Sequence, residues 1–225
     1  MHKKHFFGWR RGPFFAIAER LLPESASEIV IDIGAGDDGF AQSLPKEKQE
    51  RVHLLDGNPD TVKSLKEASF QSSLYQAPER LPFEDASVGF VHCSHLIEHL
   101  DWKELDLLLR EIDRVAKAGA VIVISTPMHY DGFYGEISHV RPYYPRSITT
   151  PLCTGTRNST ISDFGGNYQQ EELHYRYGEL DPDQGWGSCN VGVDFLVYLL
   201  RRLFRKLSFR RYVKTGYTLV LRKNK

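Results

Sequence analysis

The run Glu28-Ile29-Val30-Ile31-Asp32-Ile33 leads without a break into Gly34-Ala35-Gly36-Asp37-Asp38-Gly39. An apolar β-rich stretch that stops at G-x-G-x-x-G and gives way to a helix constrains this chain more than any other feature. It reads as the opening of a βαβ unit, whose glycines permit a tight turn and let a ligand approach the backbone closely. Arg51-Val52-His53-Leu54-Leu55-Asp56 reads as a second strand that ends in an acid, twenty residues after Gly36. A carboxylate there can accept both hydroxyls of an adenosine ribose. The pair fits a dinucleotide site and an adenosylmethionine site alike. Asp32 leans toward the second, because an acid under the turn repels a pyrophosphate and suits a cationic methionine end.

The surrounding pattern alternates. Phe14–Leu22 after Pro13 suits a short helix that Pro23 stops, and further helices are expected near residues 38–44 and over 59–68. Ser87–Cys93 and Ala120–Ser125 read as strands. Between them Leu105, Leu108, Leu109 and Ile112 recur at helical spacing within Asp101–Ala116. Such alternation predicts an α/β doubly wound, Rossmann-like fold with a mostly parallel sheet and right-handed crossovers. From Thr126 to Asn190 it stops, in a Gly-, Pro-, Tyr-, His- and Asp-rich stretch far longer than an ordinary connection. We expect one domain over residues 1–225, with residues 126–190 as a substrate-binding insertion. Asp194–Leu207 then predicts a helix. Ser208–Lys214 and Tyr217–Arg222, on either side of Thr215-Gly216, predict an antiparallel closing hairpin.

Composition narrows the classes. Hydrophobic residues make up 41% and charged residues 26%, an ordinary soluble balance. No apolar stretch is long enough to cross a membrane, and the first residues lack the pattern of a secretory signal. Cys93, Cys153 and Cys189 are too few and too far apart for a disulfide framework or a zinc cluster, so a cytoplasmic setting is expected. The net charge of zero hides an asymmetry. Residues 1–12 carry four Lys or Arg and residues 201–225 carry ten, with no acid in either segment. A pI near 7.1 disfavours nucleic acid as the partner. The apolar and basic helix Phe195–Leu207 has two readings: a peripheral contact with anionic lipid, or a helix that covers the sheet.

The chain resembles the class I S-adenosylmethionine-dependent methyltransferases, in their type 11 branch. Ile31–Gly39 is similar to the first motif and Leu54-Leu55-Asp56-Gly57-Asn58-Pro59 to the second. Glu79–Ser87 and His92–Leu100 are similar to the third and fourth, all in order between residues 28 and 127. The resemblance implies a seven-stranded sheet and S-adenosylmethionine as cofactor. It implies that Asp32, Gly34, Ala35 and Gly36 line the methionine and ribose, and that Asp56 holds the ribose hydroxyls. Gly57 and Asn58 would lie beside the adenine, with Cys93, Ser94 and His95 near the sulfonium. Ala77-Pro78-Glu79 stands where the family often carries an acid for the adenine amino group, so Ala77 and Pro78 would offer backbone contacts instead. The Asn/Asp-Pro-Pro-Tyr motif of nucleic-acid base methylators is absent after Val91.

A hydroxyl acceptor needs a base near neutral pH. Ser138-His139-Val140-Arg141-Pro142-Tyr143-Tyr144-Pro145 is similar to a segment of methyltransferases linked to polysaccharide pathways. The likeness implies His139 as base or acceptor-binding group and Arg141 as a clamp. His95 and Glu98 are further acid–base candidates, and His129, Tyr134 and Tyr143 are candidate acceptor contacts. His92 reads as a strand residue without a ligand role. Glu136-x-x-His139 with His129 lacks a third well-spaced partner, so no metal is expected. A small-molecule or glycan acceptor is the expected partner. Two other readings share the motifs: a nicotinamide-dependent oxidoreductase and a non-catalytic binding module.

Overall fold

The computed structural model describes residues 5–8, 10–36, 39–155, 160–161, 164–179, 190–206 and 212–224. Asp37 and Asp38 of the glycine turn, Cys189 and residues 208–211 of the expected hairpin lie outside them. In chain order the strands are β1 (His5–Phe7), β2 (Ile29–Ile33), β3 (Val52–Asp56), β4 (Ser72–Leu74), β5 (Val88–Ser94), β6 (Ala116–Pro127), β7 (Tyr168–Glu179) and β8 (Tyr212–Lys223). The α-helices are α1 (Gly12–Arg20), α2 (Lys46–Gln49), α3 (Pro59–Glu67), α4 (Trp102–Val115), α5 (Pro145–Thr149) and α6 (Val191–Lys206). The eight strands form one sheet in the order β1-β7-β8-β6-β5-β2-β3-β4. All pairs are parallel except those of β8 with β6 and with β7.

Side-chain alternation along the central strands builds a core on each face. Ile31 and Ile33 of β2, Val91 and Cys93 of β5, and Ile122 and Ile124 of β6 pack on the side covered by α4. That helix presents Leu105, Leu108, Leu109, Ile112 and Val115 to them. Its start is a capping box, in which Asp101 accepts from the Lys103 and Glu104 amides while Glu104 accepts from the Asp101 amide. Val30, Phe90, Val121 and Val123 face the other way, against Phe14, Phe15, Ile17 and Ala18 of α1. Asp32 and His92 share that second face, side by side in register.

Three expectations are corrected. The sheet has eight strands rather than seven, because β1 adds a parallel pairing to β7. Strand β7 lies inside the stretch expected to be a continuous insertion, so among the described residues the part between β6 and β7 is residues 128–167. Its polar run Gln169-Gln170-Glu171-Glu172 conceals the strand period. Those acids are matched by cations, Arg222 with Glu171 and Arg20 with Glu172. Thirdly, Thr215-Gly216 is not a turn: β8 passes straight through it, with β6 and β7 as its antiparallel partners. A β-carbon at Gly216 would sit 2.9 Å from the Thr126 carbonyl and from the Arg176 guanidinium. The glycine marks a close approach inside a strand.

The Arg20 guanidinium donates twice to Glu172, at 2.8 Å each, and ties α1 to β7. Burial acts to raise the Glu172 pKa, but Arg20 and His174 outweigh it and hold the group below its ordinary 4.5. A carboxylate lowered in the folded state contributes stability above its unfolded pKa and loses it as pH falls through the folded value. Glu172→Gln should therefore lower the unfolding free energy by about 1 kcal/mol at neutral pH. In urea titrations the deficit should shrink once pH drops below about 4.5. A deficit that is the same at all pH values would show the pair to be inert.

Over residues 191–200, 202 and 203 of α6 no side chain is buried, and Phe195, Leu196, Leu199 and Leu203 are exposed, so this part of the helix does not cover the sheet. No helix among the described residues is long and apolar enough to cross a membrane.

Candidate active site

A cavity of about 400 Å³ opens across the C-terminal ends of β5, β2 and β3. Its lining includes Asp32, Gly34, Ala35, Gly36, Asp56, Gly57, Asn58, Ser94 and His95. The glycine turn needs its glycines, since Gly34 and Gly36 have φ of 74° and 65°. A β-carbon at Gly34 would also meet Leu96 at 3.1 Å, while one at Gly36 would meet nothing within 4 Å. The Gly34 and Ala35 amides donate to the Leu55 carbonyl. Asp56 then organises the rim: its Oδ2 accepts from the Gly36 amide at 2.9 Å and its Oδ1 from the Asn58 amide at 2.8 Å. Each oxygen keeps a second lone pair for a ligand hydroxyl. Asn58 in turn caps α3 by accepting from the Asp60 amide.

The cavity floor holds a pairing that sequence reasoning missed. His92 Nδ1 donates to Asp32 Oδ1 at 2.7 Å, both side chains being about 2% exposed. Phe40 lies against the imidazole with ring centres 4.3 Å apart. Strand parity was the available signal, because any β5 residue level with Asp32 must share its face. Parity also explains Cys93, which turns into the core on the α4 side and is not brought to the cavity. Burial pushes its thiol far up, with Glu98 and Asp32 adding to the effect. It stays protonated and does not compete as a nucleophile. Nor does the structure bring Ala77 or Pro78 to the lining. The cavity's other wall comes from α1 and the residue before it, where Phe15 and Arg11 contribute. No sequence motif marked Arg11.

Beyond Ser94 the chain turns sharply at His95, whose φ is 55°. The His95 amide donates to the Ser125 carbonyl at 2.8 Å. Its Nδ1 lies 3.2 Å from Glu98 Oε1, out of line for a full hydrogen bond. Burial lowers the His95 pKa against the pull of Glu98, and Arg11 and Arg176 add to the lowering. Glu98 is fully buried, yet ends below the ordinary carboxylate value: burial acts to raise it and His95 prevails. Glu98 Oε2 accepts from the Thr126 hydroxyl at 3.0 Å. The Glu98 main-chain carbonyl accepts from the Val140 and Arg141 amides, docking the irregular segment onto the same turn.

The remaining candidates disperse. His139 lies beside His99, ring centres 5.1 Å apart. Arg141 and Tyr143 line a separate cavity of about 420 Å³ with Trp102 and Leu105, where the guanidinium sits 5.5 Å from the Tyr143 ring centre. The Tyr143 hydroxyl donates to the Leu100 carbonyl, and burial pushes its pKa up to about 12. His129 and Tyr134 are exposed neighbours in neither lining.

An α/β sheet with an antiparallel closing strand and an acid-flanked glycine cavity defines a Rossmann-like methyltransferase fold. Residues 31–124 match the type 11 family model, a methyltransferase domain. Over those residues the chain is similar to the S-adenosylmethionine-dependent methyltransferases. It is 26% identical over 139 residues to a probable S-adenosylmethionine-dependent methyltransferase of Mycobacterium tuberculosis, a match covering 61% of this chain and 50% of that protein. It is 28% identical over 116 residues to ajmaline N-methyltransferase of Rauvolfia serpentina, covering 48% and 39% of the two chains. The chain thus spans about half the length of the curated relatives it matches, or less. The same fold occurs in a SAM-dependent methyltransferase from Archaeoglobus fulgidus, with a TM-score of 0.64, 22% identity and 95% of each chain covered. It occurs also in geranyl diphosphate C-methyltransferase from Streptomyces coelicolor, with a TM-score of 0.59, 13% identity and coverage of 96% and 77%.

Proposed function

We propose that this chain transfers a methyl group from S-adenosylmethionine to a hydroxyl of a small acceptor, a saccharide or a polysaccharide or lipid-linked glycan intermediate. One observation carries the reading: a single cavity is lined by Asp56 at β3, by Asp32 beneath the glycine turn and by His95 after β5. Its size suits a small cofactor, and its two acids match the ribose hydroxyls and the cationic methionine end. Bound there, S-adenosylmethionine supplies an electrophilic methyl group. Asp56 accepts from the ribose hydroxyls. Asp32, held in place by His92, faces the ammonium, and Arg11 faces the carboxylate. His95, neutral because its pKa is lowered, takes the proton of the acceptor hydroxyl, and Glu98 orients it. The relatives named above include an N- and a C-methyltransferase, so family alone does not choose the acceptor atom. A base beside the cavity favours oxygen.

Longer acceptors extend, in this reading, toward Arg141 and Tyr143, with His139, His129 and Tyr134 along the irregular segment. The exposed apolar face of α6, which also carries Arg202, meets the lipid that bears a glycan, from the cytoplasmic side. Calorimetric titration with S-adenosylmethionine, S-adenosylhomocysteine and NAD tests the cofactor. The first two should bind and NAD should not. Methyl transfer from labelled cofactor is then screened on saccharides, free and on anionic vesicles that should co-sediment the protein. NAD binding alone would turn the reading to an oxidoreductase. Cofactor binding without transfer to any acceptor would turn it to a binding module.

A further inference from the structure

Beside the cofactor cavity, Glu98, His99 and His139 each bring one coordinating atom within 4.8 Å of the others. We propose that these three residues bind a divalent transition-metal ion of the zinc class. Three features of the cluster support it, besides proximity. Glu98 is fully buried, and while its Oε2 accepts from Thr126, its Oε1 meets only His95 Nδ1, 3.2 Å away and out of line for a full hydrogen bond. A carboxylate oxygen at that depth without a well-formed hydrogen bond is costly, and a cation there would offset the cost. The two imidazoles are set by main-chain carbonyls: His99 Nδ1 lies 3.0 Å from the Ser138 carbonyl and His139 Nδ1 2.6 Å from that of Phe133. A carbonyl only accepts, so in each neutral ring Nδ1 carries the proton and Nε2 the lone pair. That is the tautomer a metal-binding histidine adopts, fixed from outside as such ligands are. The cluster also has a firm seat, since the His139 ring packs on the buried Phe133 and the Glu98 carbonyl holds the Val140 and Arg141 amides.

Two imidazoles and one carboxylate suit zinc, cobalt, manganese or iron(II), and three protein ligands leave positions open for an acceptor oxygen. Bonds of about 2.1 Å to a shared ion place tetrahedral ligands about 3.4 Å apart, so the cluster would close by at most about 1.4 Å. The site stands on its own residues; its chemical role rests on the hydroxyl-acceptor reading above. The ion would polarise the acceptor O–H bond. That bond breaks, its proton passes to the neighbouring His95, and its electron pair forms the new O–C bond as the C–S bond of the cofactor breaks.

The test uses untagged full-length protein stripped with a chelator and titrated with Co²⁺, whose visible absorption reports histidine coordination, and with Zn²⁺ by calorimetry. One equivalent of each should bind and raise the melting temperature. His99→Gln and His139→Gln should each weaken binding at least about tenfold, while affinity for S-adenosylhomocysteine stays within twofold. Failure of the wild-type chain to take up either ion, or uptake undiminished in both variants, overturns the site. Metal uptake without S-adenosylhomocysteine binding would leave the site standing and remove the methyl-transfer reading. The reverse pattern would remove the site alone.

Discussion

Asp56→Ala should weaken S-adenosylhomocysteine binding at least about 100-fold. Two charge-assisted hydrogen bonds to ribose hydroxyls are worth roughly 3 kcal/mol or more together, which converts to that factor. The loss goes beyond the ligand contacts, because both carboxylate oxygens also accept main-chain amides, of Gly36 and Asn58. Without them the glycine turn and the start of α3 lose a common acceptor. Asp56→Asn separates the two effects: it retains one acceptor oxygen and should lose less. Calorimetry with circular dichroism on each variant checks this. Unchanged affinity in the folded alanine variant would mean that the ribose lies elsewhere.

The second large effect is expected at His95. Its backbone sits in the left-handed region, with φ of 55°, which asparagine tolerates well and alanine poorly. His95→Asn therefore removes the imidazole with least disturbance. Loss of a general base typically lowers kcat by about 100- to 10,000-fold. Affinity for S-adenosylhomocysteine should change little, since Asp32 and Asp56 remain. Single-turnover transfer to the acceptor found in the saccharide screen provides the readout. If kcat is preserved, the proton leaves by another route and the hydroxyl reading loses its main chemical support.

The fold was legible where periodicity was clean. Ile29–Ile33, Val52–Asp56 and the leucine-spaced α4 could be read because their apolar residues follow one period without interruption. Strand β7 was not, because its apolar period is interrupted by acids whose partners, Arg20 and Arg222, lie far away in the sequence. The Arg222 pair also accounts for part of the basic C-terminus, together with Lys223 against Asp113. In the candidate site the glycines and acids were legible because the turn they form is local. His92 was accessible through parity and overlooked. Arg11 was not accessible, since only the packing of α1 on the sheet delivers it to the cavity. The same holds for Glu98, His99 and His139: forty residues separate His99 from His139, and the fold brings them together.

Glu98 connects three parts of the molecule at once. Its side chain touches His95 at the cofactor cavity and Thr126 on β6, and its carbonyl holds the irregular segment through Val140 and Arg141. A ligand that shifts that segment thus works on the same turn that shapes the cofactor cavity. Thermodynamic linkage then makes the influence mutual: whatever factor an acceptor applies to cofactor affinity, the cofactor applies to acceptor affinity. The order in which the two ligands are added can change the path taken, but not the size of their cooperation.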